Sequence, residues 1–132
     1  AMAVARHLSQ CPGVTNLRYP GLRTDEGHRI SVRQMRNGFG GMMAFDVGKT
    51  QEDAKRFISA LKTIRHAVSL GSTESLICVP FLTTMLYMPP ERRTSFGVRP
   101  NSVRLSVGVE PIGDLLADLD QALSQMRGRK RP

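Results

Sequence analysis

The sequence predicts an α+β fold, a small and mainly antiparallel sheet with helices packed on one face. Three observations carry that prediction. Ser102 to Val109 alternates, with Val103, Leu105, Val107 and Val109 on one side and Ser102, Arg104, Ser106 and Gly108 on the other. Two longer stretches gather their apolar residues on one helical face: Ala54, Phe57, Ile58, Leu61 and Ile64, then Ile112, Leu115, Leu116, Leu119, Leu123 and Met126. The short apolar runs between them are broken by Gly and Pro, without the helix–strand rhythm of a parallel sheet. A length of 132 residues, 40% hydrophobic and 23% charged, suits one globular domain with a modest core.

The elements follow in order. Ala3 to Leu8 is a short helical stretch that starts without a cap, as if its beginning lay upstream, and Cys11-Pro12-Gly13 stops it. Val14 to Tyr19 is a strand ended by Pro20-Gly21. One or two helical turns fit His28 to Arg36, and Gly38, Gly40 and Gly41 close them. Met42 to Val47 is a second strand. Thr50, with Asp53 three residues on, caps the first long helix in the manner of a capping box. His66 to Leu70 and Leu76 to Val79 are short strands around Gly71-Ser72-Thr73. Phe81 to Met88 is irregular, and Glu91 to Ser95 is a helical turn closed by Gly97. After the strand from Ser102, Pro111 suits the first turn of the last helix. The domain spans residues 1–126, with a basic tail over 127–132.

Composition narrows the function. No apolar run approaches the roughly 20 residues of a membrane span. Ala1 to Gln10 lacks the basic start and apolar block of a signal peptide, so the cytoplasm is the expected compartment. The net charge is +8, from fifteen Arg and four Lys against eleven acidic residues. These cations are scattered except for Arg127-Gly128-Arg129-Lys130-Arg131, which reads as a solvated tail. With two Tyr, five Phe and no Trp, no stacking platform for nucleic acid is evident. Cys11 and Cys78 belong to no CxxC pair, and His7, His28 and His66 do not flank them at the usual zinc spacing, so no metal site is expected. A Cys11–Cys78 disulfide is disfavoured in a reducing compartment.

Several motifs resolve into structure rather than chemistry. Gly48-Lys49-Thr50 lacks the glycine five residues earlier that a phosphate loop needs, Met43 standing there. Gly38-Phe39-Gly40-Gly41 leads into a strand, not a helix, so its glycines serve a turn with positive φ or close packing. No Gly-x-Ser-x-Gly elbow supports a Ser/His/Asp triad. Arg104 stands out. It lies mid-strand opposite an apolar row, with small Ser106 and Gly108 beside it. A planar fork of donors on a rigid strand suits a bidentate carboxylate. The other readings are an ordinary surface arginine, or a partner for Glu74 or Glu110.

The order of several segments resembles the transsulfuration family of pyridoxal-phosphate enzymes: cystathionine γ-synthase, cystathionine lyases, methionine γ-lyase and O-acetylhomoserine sulfhydrylase. They are Tyr19-Pro20-Gly21-Leu22, Gly38-Phe39-Gly40-Gly41-Met42-Met43-Ala44-Phe45, Ser69-Leu70-Gly71 with Glu74-Ser75-Leu76, Pro89-Pro90-Glu91-Arg92, Val103 to Glu110, and Asp114 to Leu119. The resemblance covers residues 1–126 and implies the C-terminal domain of a fold-type I enzyme. It implies that a larger N-terminal domain, absent here, carries the Schiff-base lysine and most phosphate contacts. Arg104 then resembles the arginine that grips the substrate α-carboxylate, and Ser69 the serine beside the cofactor. Val68 resembles a position that varies with reaction preference, and its apolar character leans toward a lyase acting on methionine- or homocysteine-like substrates, or a sulfhydrylase. Leu70 and Thr84 are further candidates for the site. The family's Met-Thr-His is replaced by Thr83-Thr84-Met85, and Ser72 stands where Gly is common.

The resemblance further implies pyridoxal 5'-phosphate in the full-length enzyme, a homo-oligomer, tetrameric in the family, and a small amino-acid substrate. Lys49, Lys55, Lys62 and Lys130 lie in none of the segments where the family keeps its cofactor lysine. The chain alone is therefore expected to hold no cofactor covalently and to be inactive. The competing reading is a stand-alone basic α+β interaction module without catalysis.

Overall fold

A computed structural model describes residues 1–127. The rest of the basic tail, Lys130 included, lies outside the described residues. Among them, five strands form one sheet in the order β1-β2-β5-β4-β3. They are β1 (Val14–Arg18), β2 (Met42–Val47), β3 (Arg65–His66), β4 (Leu76–Cys78) and β5 (Ser102–Ser106). Neighbours run antiparallel except the edge pair β3–β4, which is parallel. The helices are α1 (Met2–Leu8), α2 (His28–Gln34), α3 (Gln51–Ala60), α4 (Pro90–Ser95) and α5 (Ile112–Arg127), with a 3-10 turn at Pro80–Leu82.

The pleat of β2 and β5 divides the molecule. Met43, Phe45 and Val47 of β2 and Val103 and Leu105 of β5 enter the core. There they meet Val4 and Leu8 of α1, Phe57 and Ile58 of α3, and Leu115, Leu119 and Leu123 of α5. Phe45 and Phe57 meet edge to face with centroids 6.2 Å apart. Helices α1, α3 and α5 thus cover one face, as the apolar stripes predict. None of their helices is long and apolar enough to cross a membrane, and neither is any other helix among the described residues.

The capping box forms as predicted. Thr50 Oγ1 accepts the Asp53 N–H at 3.2 Å, and Asp53 Oδ2 accepts from Lys49 and Thr50, both at 2.9 Å. The Lys49 N–H is the largest cause that holds the Asp53 carboxyl below its usual pKa. Tyr19 is buried and donates its hydroxyl to Gly40 O at 3.0 Å, which ties the Tyr19-Pro20-Gly21 turn to the glycine-rich turn. Gly38 and Gly40 have φ of 135° and 74°, so those glycines do serve positive φ.

Three expectations need correction. The first long helix ends at Ala60, and Leu61 is already extended. The cause is Asp118, buried in α5, whose carboxylate accepts the N–H groups of Lys62, Thr63 and Ile64 at 2.8, 2.9 and 2.9 Å. Ile64 still reaches the core, but from the loop. The strand expected over His66 to Leu70 is only the pair Arg65–His66. The β5 strand stops at Ser106, and Val109 is 79% exposed, so the apolar row does not extend to it. Cys11 and Cys78 are not joined as a disulfide.

Candidate functional site

Arg104 occupies the middle of the central strand, on the face away from the helices. Its register partners are Ala44 of β2 and Cys78 of β4. Both side chains are small, so the guanidinium has room to rise from the sheet. A shallow hollow of about 290 Å³ lies beside it, bounded by Arg18, Met42, Met43, Ala44 and Arg104.

The chain then returns to meet it. After β3, residues 67–75 pass over the end of β5. Arg104 Nη2 donates to Val68 O and, at 3.3 Å, to Ser69 O. The structure therefore brings together Arg104, Val68 and Ser69, which are remote in sequence. The Val68 side chain is 54% exposed and Leu70 55% exposed, both beside the guanidinium's anchor points. Thr84 is exposed in the turns after Pro80–Leu82, and no hydrogen bond among the described residues joins it to this group.

The acids considered as partners for Arg104 are engaged elsewhere. Glu74 pairs with Arg65 at 3.1 Å. Glu110 accepts from Ser75 N–H at 2.5 Å and Ser75 Oγ at 2.8 Å. Burial alone would raise the Glu110 pKa, but these bonds and its own backbone N–H lower it below the usual value. Among the described residues, no carboxylate lies within 4.0 Å of Arg104, and its Nε and Nη1 make no hydrogen bond. A charge with spare, directed donors can receive an anionic group.

Sequence reasoning misses the residues that hold the overlying loop. Gly71 N–H donates to Ser106 Oγ at 3.0 Å, and Gly108 N–H donates to Ser75 Oγ at 2.9 Å. Val109 N–H donates to Thr73 O at 2.9 Å. A Cβ on Gly108 would stand 2.3 Å from Thr73 O, so only glycine lets the loop lie this close. The available signal is the small size of Ser106 and Gly108 on the Arg104 side of β5. Also missed is Arg93, which is 9% exposed. It donates to Phe81 O at 3.1 Å, Met88 O at 2.6 Å and Leu86 O, and lies 4.4 Å over the Phe81 ring. It fixes the turns that carry Thr84.

The described lysines fit a different place. Lys49 precedes α3, Lys55 is on it and Lys62 follows it, all exposed and on the helix-covered side. Among the described residues, no lysine lies in the strand of Arg104 or in the loop that crosses it, and covalent attachment of an aldehyde cofactor there would need an amine.

Comparison with known proteins gives this arrangement its family. Residues 1–124 match the family model for Cys/Met metabolism PLP-dependent enzymes. The chain is 41% identical over 125 residues to a cystathionine gamma-lyase of Dictyostelium discoideum, covering 95% of this chain and 32% of that protein. It is 43% identical over 126 residues to a cystathionine beta-lyase of Lactococcus lactis subsp. cremoris, with coverage of 95% and 32%. Among solved structures, a cystathionine gamma synthase from Xanthomonas oryzae pv. oryzae, in complex with aminoacrylate and cysteine, superposes with a TM-score of 0.89. It shares 37% identity across 96% of this chain and 32% of that one. The chain belongs to the Cys/Met metabolism family of pyridoxal-phosphate-dependent enzymes. It spans about a third of the length of the relatives it matches.

Proposed function

We propose that this chain is the substrate-binding C-terminal domain of a pyridoxal-phosphate-dependent C–S lyase or γ-replacement enzyme of sulfur amino-acid metabolism. In this reading Arg104 takes the α-carboxylate of the amino-acid substrate. The observation that supports it most is the guanidinium itself. It is rooted on the central strand, held on one side by the carbonyls of Val68 and Ser69, and has no carboxylate of its own among the described residues. Two parallel N–H···O bonds from a preset fork would fix the carboxylate's position and plane, and with it the orientation of the bonds at Cα.

Val68 and Ser69, whose carbonyls hold the guanidinium, and the adjoining Leu70 would shape the room for the substrate side chain, with Thr84 a more distant contributor. The exposed, apolar Val68 favours a methionine- or homocysteine-like substrate over one with a charged distal end. The cofactor, when bound in the assembled enzyme, supplies the electron sink for breaking the bond to sulfur. The amine that holds it belongs to a partner domain in the remainder of the relatives' length. The whole enzyme is a homo-oligomer, tetrameric as the family resemblance implies, and this chain alone turns over no substrate.

The test is Arg104→Ala in the assembled enzyme. Losing the charge pair costs about 2–5 kcal/mol of substrate binding, so KM rises about 30-fold or more. Arg104→Lys, which keeps the charge but not the fork, recovers only part of that loss. An unchanged KM in Arg104→Ala sinks the assignment. Turnover by the 132-residue chain alone would remove the need for a partner domain.

A further inference from the structure

On the helix-covered side, far from Arg104 in the fold, the end of α1 meets the middle of α5. His7 Nε2 and Asp120 Oδ1 are 2.7 Å apart. Cys11 Sγ stands 4.0 Å from the same oxygen. One ligand atom from each of these three residues lies within 4.8 Å of the other two. His7 lies in the last turn of α1 and Cys11 three residues past its end, where Cys11 folds back on the helix and bonds to the Leu8 and His7 carbonyls. Asp120 comes from 109 residues beyond Cys11, and spacing along the chain cannot suggest it.

We propose that His7, Cys11 and Asp120 form a binding site for one divalent transition-metal ion of the zinc class. The donor set is imidazole nitrogen, thiolate sulfur and carboxylate oxygen, which suits a borderline ion rather than calcium or magnesium. Around a tetrahedral zinc with the usual bond lengths, ligand atoms lie about 3.4–3.6 Å apart. The ion would open the His7–Asp120 hydrogen bond by less than ~1 Å, draw Cys11 Sγ toward Asp120 by about half that, and close its separation from His7, which is no more than 4.8 Å, by up to about 1.3 Å.

The backbone beneath is rigid. Leu8, Leu119 and Leu123, beside the three ligands in sequence or one turn away, are fully buried in the core. Cys11 N–H donates to Leu8 O at 3.1 Å, and Sγ donates to His7 O at 3.4 Å. That carbonyl lies at the C-terminal end of α1, where the helix dipole favours a cation. On binding, the Cys11 thiol gives its proton to solvent and His7 binds as the neutral ring. The Asp120 side chain is 56% exposed and that of His7 28%, so water completes the coordination. The site would cross-link α1 to α5.

The experiment is a titration of chelator-stripped, reduced protein with cobalt(II), followed by absorbance. One equivalent should raise a thiolate-to-cobalt charge-transfer band and tetrahedral d–d bands, and zinc should displace them. Cys11→Ser should abolish the charge-transfer band, while Cys78→Ser, whose thiol is buried in β4, should keep it. His7→Ala and Asp120→Asn should each weaken binding at least ~10-fold, since even outer partners of a ligand are worth that much. Saturating zinc should raise the melting temperature of wild type and not of Cys11→Ser. The proposal is overturned if no charge-transfer band forms, if the band survives Cys11→Ser or is lost in Cys78→Ser, or if His7→Ala and Asp120→Asn both bind as wild type does. A far-ultraviolet dichroism spectrum of each variant establishes that it is folded.

Discussion

The two faces of the sheet are built on different terms. On the helix-covered face, Val4, Leu8, Phe45, Phe57, Leu105, Leu119 and Leu123 are shut off from solvent, and a buried charged group of that layer, Asp118, accepts four hydrogen bonds. On the opposite face, Arg104 is half-buried with donors to spare, and Val68, Leu70 and Phe96 leave 54%, 55% and 62% of their surface open. Polar fastenings replace packing there: Ser106 to Gly71, Ser75 to Glu110 and Gly108, and Asp46 to Asn16, Arg99 and Ser102. Stability resides mainly on the first face, because buried apolar area is the dominant favourable term. The second keeps exposed side chains and spare donors, which suits the binding proposed for it. Changes on one face should therefore register in folding, and changes on the other in binding.

The largest expected effect on folding is at the centre of the first face. Leu119→Ala removes a fully buried side chain between α5 and the sheet and should cost about 3–4 kcal/mol. Urea unfolding of the chain would measure it, and a loss under about 1 kcal/mol would mean the helix layer is not the seat of stability.

Next is Asp118→Ala, which strands the N–H groups of Lys62, Thr63 and Ile64. It should cost about 2–3 kcal/mol in the same assay. Hydrogen exchange of those three amides should rise in the variant. If they stay as protected as before, Asp118 does not end α3.

Asp118 also predicts how stability varies with pH. Burial would raise its pKa, but the bonds from Ile64, Lys62, Thr63 and Gln121 win and hold it below the usual carboxyl value. A carboxyl depressed in the folded state stabilises fully above its unfolded pKa of about 3.9 and loses that contribution as pH falls through the lower folded value. Wild type should thus lose stability on acidification below about pH 5, and the Asp118→Ala profile should be flatter. Parallel profiles would assign the acid response to Asp53 and Glu110, whose carboxyls are lowered too.

The smallest effects belong to the second face. Leu70→Ser and Arg104→Ala should each change the stability of the chain by less than about 0.5 kcal/mol, whereas the proposed role of Arg104 predicts a large loss of substrate binding in the assembled enzyme. A stability loss in Arg104→Ala as large as that of Leu119→Ala would erase the distinction between the faces.

Much of this architecture was legible from residues alone. Met42–Val47 is a strand with the bounds its pattern predicts, the Thr50–Asp53 cap forms, and the apolar stripes face the core except at Ile112, which is 46% exposed at the start of α5. Periodicity, caps and glycine turns act over a few neighbouring residues, so local sequence carries them. Arg104 was visible for the same reason, as a cation on the polar side of an alternating strand. What was not legible depends on residues far apart. The end of α3 is decided by Asp118, more than fifty positions away along the chain. Val109 reads as the last member of an apolar row, yet β5 stops at Ser106 because the 71–75 loop takes over the hydrogen bonds of Gly108 and Val109. Alternation alone cannot reveal where a ladder loses its partner.

The sequence by itself therefore determined most of the elements, the buried stripes and an arginine on the polar side of the central strand, because those depend on side-chain type and period. Only the tertiary structure decided which groups meet. It set the carbonyls of Val68 and Ser69 against Arg104 while Glu74 and Glu110 found other partners. It also brought Asp120 to His7 and Cys11. Contacts of that kind are fixed by how the helix layer and the returning loop pack on the sheet, and packing is a property of the whole chain.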